Sequence, residues 1–243
     1  MYQPCFAVYI ALAGGSVKRT TSIEALLRKS KNTFVDLKRD YDTSLHEKTI
    51  RDDLKVDIKN IFENLRSCLD YLAHELFEGL CGAAKQSDRL YFPIRSSRTE
   101  FDKVMKRDYS GLEQANKAVF DFLESIQPYN SAWLGQFNQL NNENKHQDLV
   151  EQSRTEARHV SVSVPGGGSV SWGPGVSFGG GVSVMGVSID PRTQLTTPNN
   201  QVTTQITIWV DFKFKDNGLS VLPFVEDSIN KIESVFRELQ KHL

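Results

Sequence analysis

From position 52 to position 79 the chain reads DDLKVDIKNIFENLRSCLDYLAHELFEG, and its apolar positions recur at helical spacing. At about 100° per residue, Ile58, Ile61, Leu65, Leu69, Leu72 and Leu76 fall on one side. That width of stripe suits a helix packed in a bundle. Burying each such side chain is worth roughly 1.5–3 kcal/mol before entropy is counted. Neither Gly nor Pro occurs between Gly15 and Gly79, so nothing local interrupts long helices there. Gly79 and Gly82 are the expected stop.

Before this helix, Thr21-Ser22-Ile23-Glu24 has capping-box spacing and predicts a helix start. Ile23, Leu27, Phe34, Leu37, Tyr41 and Leu45 continue it with helical period. The polar stretch 42–49 predicts the turn into the second, antiparallel helix. Beyond residue 81, Tyr91-Phe92-Pro93-Ile94 reads as an extended apolar plug lying across the bundle. A short helix over 99–106 and a longer one over 112–126 follow, the latter with Val119, Phe122, Leu123 and Ile126 inward. Gln127-Pro128-Tyr129-Asn130 is a turn. A helix over 131–151 then aligns Trp133, Phe137, Leu140 and Asn144, so Asn144 stands where an apolar residue is expected. A buried amide there must find partners or cost roughly 1–3 kcal/mol.

After Arg154 the period changes from helix to strand. Val160, Val162 and Val164 alternate with serines, and short apolar pieces at 170–172, 176–178 and 182–189 sit between glycine-rich turns. Between 201 and 215, Val202, Thr204, Ile206, Ile208, Val210, Phe212 and Phe214 alternate with Thr203, Gln205, Thr207, Trp209, Asp211, Lys213 and Lys215. This predicts a strand with one buried and one wet face. Asp216-Asn217-Gly218 is a hairpin turn with a short return strand over 219–222. Pro223 opens a last helix with Val225, Ile229, Ile232, Val235, Phe236 and Leu239 on its inner face.

The expected fold is therefore α+β: an antiparallel bundle of about five helices, a small antiparallel sheet and a C-terminal helix packing back. The divisions are a tail or apolar segment over 1–19, the bundle over 20–153, the β region over 154–222 and the final helix over 223–243. The glycines of 165–186 match neither a phosphate loop nor a dinucleotide fingerprint, and read as hairpin turns.

Composition narrows the function classes. Over 243 residues, 24% charged and 39% hydrophobic side chains are ordinary for a globular protein. A net charge of −1 argues against a broad nucleic-acid footprint, though not against a small local site. The three cysteines, Cys5, Cys68 and Cys81, have no metal-ligand spacing and an odd count, which favours a reducing, cytoplasmic setting. No apolar run reaches the ~18 residues of a membrane span, so no membrane partner is expected. Residues 1–13 hold a short apolar run ending in small residues, and secretion through it is the alternative.

The candidate chemistry lies opposite the apolar stripe of the central helix. Glu63, Ser67, Asp70 and His74 line up there, with Asn64 and Arg66 alongside. Arg66 and Asp70 form either a solvated i,i+4 pair, a pin between helices, or part of a site at a helix or subunit seam. Asn141, Asn142, Asn144, Lys145 and His146 occupy a second helix that could face it. Arginine with histidine can cleave RNA without metal: imidazole takes the 2′-hydroxyl proton and guanidinium stabilises the phosphorane. On that reading Arg66, His74 and His146 are catalytic, and Asn64, Asp70, Asn141, Asn144 and Lys145 bind. No metal site and no cofactor are expected, since no ligand spacing supports either.

The ordered stretches NLRSCLDYLA (64–73), FPI (92–94), QPY (127–129) and LNNENKHQDL (140–149) resemble a widespread family of uncharacterised bacterial proteins. In that family the helical half reads approximately HNLRSALDHLA, FPI, QPY and L-N-x-x-DKHR. The resemblance spans about residues 20 to 150. Glu63 and Tyr71 stand where that family usually has histidines, Asn144 replaces its aspartate and Gln147 its arginine. The chain is more remotely similar to HEPN domains, helical RNases whose Arg–His motif is spaced more closely than Arg66 and His74. Eight helical steps separate that pair by about 12 Å, so only two subunits could bring both to one phosphate.

Two functions follow as expectations. One is a bacterial cytosolic binding or interaction module, in a defence or toxin–antitoxin setting, with a protein partner or a second copy. The other is a HEPN-like, metal-independent ribonuclease acting on RNA.

Overall fold

The computed structural model describes residues 17–47, 51–81, 90–146, 152–215 and 217–243. The fold is α+β, with helices first, antiparallel strands next and a helix last. The chain divides into two compact units: Met1–Asp42, Arg51–Val150 and Pro223–Leu243 form one, Thr43–Ile50 and Glu151–Leu222 the other.

Helix α1 (Val17–Glu47) begins one turn ahead of the expected capping box. With no Gly or Pro after Gly15, the helix simply runs through Thr21 and Ser22. Ile23, Leu27, Phe34, Leu37 and Tyr41 are buried along it, as their spacing requires. Helix α2 (Asp52–Leu80) buries the whole predicted stripe and also Leu54, Phe62, Cys68, Ala73 and Phe77. The stripe is thus wider than the periodicity alone indicated, because α2 is covered on two sides. Phe62 shows how: its ring meets Phe137 edge-on at 5.6 Å and Phe224 at 6.2 Å, joining α2 to two other helices. The helix ends just past Gly79, where the Cys81 N–H donates to the Phe77 carbonyl.

Helix α3 (Arg98–Asp108) is capped by Ser97, whose hydroxyl accepts from the Glu100 N–H. The single helix expected over 112–126 is two: α4 (Leu112–Ala115) and α5 (Lys117–Ser125). The break is Asn116, which adopts extended φ/ψ and caps α5 by accepting from the Val119 N–H at 3.2 Å. The inner face of α5 is accordingly Val119, Phe120 and Leu123, while Phe122 and Ile126 are half-buried. Helix α6 (Ala132–His146) buries Leu134, Phe137, Leu140 and Asn141. The face is rotated relative to the expected one: Trp133 is half-buried with the Lys231 ammonium 5.5 Å from its ring centre, and the amide placed in the interior is Asn141.

In the second unit, β1 (Gln152–Ser163) pairs along its full length with β6 (Thr203–Phe214), and β2 (Ser169–Trp172) pairs with the distal end of β1. The sheet order is β2-β1-β6. A small meander of β3 (Ser183–Val184), β4 (Val187–Asp190) and β5 (Leu195–Thr196) completes the strands. Val160, Val162, Trp172 and Ile189 form the core of this unit. Residues 176–178, expected as a strand, form none; Phe178 instead packs edge-on to Trp172 at 5.1 Å and its N–H donates to the Gln194 side chain. The buried face expected along the whole of β6 is buried only at Phe212 and Phe214, whereas Ile206 and Ile208 are 45% and 56% exposed.

The return strand over 219–222 reduces to one bridge, Lys213 with Ser220. Helix α7 (Val221–Gln240) starts two residues before Pro223. Proline is tolerated there because first-turn N–H groups have no helical acceptor. Val225, Ile229, Ile232, Val235, Phe236 and Leu239 are all buried, and Lys31–Glu233 and Glu24–Arg237 ion pairs link α7 to α1.

Candidate functional site

The polar strip of α2 separates into two clusters. In the first, the Arg66 guanidinium donates through Nε to Asp70 Oδ2 at 3.2 Å, and its Nη2 lies 3.1 Å from Oδ1. Its third nitrogen, Nη1, donates to Asn138 Oδ1 on α6 at 3.3 Å. The Arg66 side chain is only 13% exposed. Such a two-point carboxylate pair fixes the guanidinium plane as well as its position. Asp70 Oδ1 also accepts the Phe92 N–H at 3.1 Å, so one carboxylate holds both the arginine and the extended segment.

That segment, 90–95, is clamped from three helical neighbours. Leu90, Phe92, Pro93 and Ile94 are buried, and an extended chain among helices has no ladder to satisfy its backbone groups. Side chains supply the partners instead. The Tyr109 hydroxyl donates to the Tyr91 carbonyl at 2.8 Å. Gln127 donates to the Pro93 and Leu123 carbonyls and accepts the Arg95 N–H at 2.9 Å. Burial holds the Tyr109 phenol well above its ordinary value, and the Asp70 and Asp108 carboxylates push the same way against Arg66. The hydroxyl therefore remains a donor.

The second cluster lies at the C-terminal end of α2. Arg19 bridges Glu75 and Glu78. Its hydrogen bond is the main reason the Glu78 carboxyl lies below the usual range, with half-buried His74 adding a smaller favourable charge. His74 lies one turn before Glu78 on α2, about 12 Å of helix rise from Arg66. Asn64 is half-buried on α2, and Ser67 donates back to the Glu63 carbonyl.

The structure therefore brings Arg66 and Asp70 together, with His74 two turns further along α2 from Arg66. On α6 the described partner of Arg66 is Asn138, six residues before the expected turn at 144–146. Asn144, Lys145 and His146 lie on the last turn of α6, but their side chains are outside the described residues. Asn141 is 1% exposed, and among the described residues neither its amide nitrogen nor its amide oxygen has a partner. A cleft of about 180 Å³ beside α3, α4 and α5 is lined by Asp102, Met105, Lys106, Tyr109, Glu113 and Phe120, among others; Arg66 and His74 do not line it.

Asn138, Tyr109 and the acceptor role of Gln127 were not singled out from the sequence. Asn138 carried one usable signal: it lies one turn after Leu134 and one before Asn141 and Asn142, on the side of α6 that turns inward. Among the described residues no group of three or more His, Cys, Asp and Glu is placed to hold a metal ion, and no helix is long and apolar enough to cross a membrane. Cys68 and Cys81 are buried free thiols, and desolvation pushes Cys68 up to about 12. Comparison with protein-family models, curated proteins and solved structures finds no match to this chain.

Proposed function

We propose that the protein is a binding module that engages a partner by strand addition to the outer edge of β6. The observation that carries this reading is the edge itself. Among the described residues β6 pairs only with β1 over 205–211, and Ile206 and Ile208 stand exposed on it. Natural sheets blunt such edges with bulges, prolines or charges. The run 205–211 has no Pro and no Gly, and Asp211 is its one charged residue. An edge of this kind offers backbone hydrogen bonds to an incoming strand and apolar positions at every second residue for selectivity.

The helical unit supports this assignment by what its polar residues already do. The three guanidinium nitrogens of Arg66 that carry bonds serve Asp70 and Asn138, and Asp70 serves the Phe92 backbone. These groups join α2, α6 and the 90–95 segment, and so act as a brace. The ribonuclease alternative needs Arg66 and a histidine on one phosphate, and within one chain about 12 Å of helix rise separates Arg66 from His74.

A fluorescent heptapeptide of alternating isoleucine and threonine tests the proposal by polarisation. Saturable binding to the full chain is expected, with at least tenfold weaker binding to Ile206→Pro, which removes an N–H from the outer edge. Equal binding to both chains, or none to the wild type, overturns it.

A further inference from the structure

We infer that the cleft between α3, α4 and α5 is a binding site for a free α-amino acid whose side chain is apolar and up to the size of a phenyl ring. This goes beyond the strand-addition reading and does not rest on it.

Helical spacing builds the first wall. Asp102, Met105, Lys106 and Tyr109 follow one another at i, i+3, i+4 and i+7 along α3 and its cap, and all four line the cleft. Gly111 then takes φ 92°, a left-handed value that glycine adopts without a Cβ penalty, and opens α4, which brings Glu113 to the cleft. Phe120 reaches it from α5. Met105, Tyr109 and Phe120 are only 4%, 1% and 5% exposed, so they form its floor. The floor is rigid and apolar. Phe120 packs edge-on against Phe101 at 5.5 Å, and the Tyr109 hydroxyl is committed to the Tyr91 carbonyl, leaving its ring to face a ligand.

The charges around this floor select the ligand. Asp102 is already matched, since Arg98 Nε donates to it at 2.8 Å. Lys106 and Glu113 are exposed, and among the described residues neither forms a salt bridge, with the other or with any third group. Lys117, one turn after Glu113, is held by Asp121 at 2.8 Å. The cleft thus presents one cation and one anion that do not neutralise each other. A molecule with a carboxylate and an ammonium on one carbon answers both, the carboxylate toward Lys106 and the ammonium toward Glu113. A ligand with a single charge leaves one of them unmatched. Size sets the side chain. The cleft holds about 180 Å³, and a cavity of about 150 Å³ takes a benzene ring. Drug-sized ligands and nucleotides need about 300 Å³ or more.

Titration calorimetry of the full chain with L-phenylalanine tests the assignment. Saturable binding with a Kd of about 1 mM is expected, the scale for a ligand of so few atoms. Lys106→Gln and Glu113→Gln should each weaken it about threefold to fivefold, as loss of one exposed ion pair does. Both positions are exposed, so the urea midpoint of each variant should match the wild type. Phenethylamine, which lacks the carboxylate, and 3-phenylpropanoate, which lacks the ammonium, should each bind more weakly than phenylalanine by a similar factor. Glycine, with no side chain for the floor, should not bind measurably. Absence of saturation by phenylalanine up to about 20 mM overturns the inference. So does binding that neither variant weakens, or equal binding of phenylalanine and either single-charge analogue.

Discussion

Arg66 on α2 and Asn138 on α6 meet at 3.3 Å, with Asp70 holding the other side of the guanidinium. An arginine engaged this way aligns two helices. Arg66→Ala should therefore act on stability. It strips a largely buried carboxylate of its charge partner, and a loss of about 2–3 kcal/mol is expected in urea unfolding. Asp70→Asn should cost less, because its amide oxygen still accepts from Phe92. Neither the wild type nor Arg66→Ala should cleave RNA in EDTA. Cleavage by the wild type that Arg66→Ala loses while still folded would make the site catalytic.

Asn141 is the converse case, a buried amide with no partner on either atom among the described residues. Leaving such a group unsatisfied costs roughly 1–3 kcal/mol. Asn141→Leu, close in volume and apolar, is expected to raise the unfolding midpoint, corresponding to about 1 kcal/mol. A loss of that size would mean the amide is bonded in solution.

The long helices, the 90–95 plug and the inner face of α7 were legible because each rests on a local cause: uninterrupted helical period, a residue before proline, an apolar stripe. Asn116 shows where local reading stops. Nothing in the spacing of 112–126 marks a break, yet the Asn side chain competes for the Val119 N–H and ends one helix to cap another. The rotation of α6 was hidden for a related reason. Trp133 and Leu134 both fit an apolar stripe, and tertiary packing chose Leu134, bringing Asn141 inward with it. On β6, alternation showed which residues share a face but could not show that the cover stops short of Ile206 and Ile208. Of the expected site residues, Arg66 and Asp70 met as an i,i+4 pair, a separation visible in sequence. Their partners Asn138 and the Phe92 N–H are 72 and 22 residues away from them.

Alkaline pH gives an independent check on the helical core. Burial raises the Cys68 thiol from 9.0 to about 12 and holds the Tyr109 phenol well above its ordinary value. For each group the unfolded chain releases its proton first, so stability is intact below the unfolded value and falls as pH rises toward the folded one. For Cys68 the window is pH 9 to about 12, with a slope of up to about 1.4 kcal/mol per pH unit. Urea midpoints should hold steady from pH 7 to 8.5 and decline above pH 9, and Cys68→Ala should flatten part of that decline. A midpoint independent of pH up to 11 would place both groups in contact with water.

The outer edge of β6 is tested most directly by amide hydrogen exchange as the heptapeptide is added. Phe214 exchanges its backbone hydrogen bonds with the return chain at Gly218 and Leu219, so by alternation the N–H groups of Ile206, Ile208 and Val210 also point away from β1; they should exchange quickly in the free chain and become protected together as the heptapeptide binds. Those of Gln205, Thr207 and Asp211, which face β1, should keep one rate throughout. Protection of Ile206, Ile208 and Val210 that does not change on adding the heptapeptide, whether high or low, would contradict strand addition at this edge.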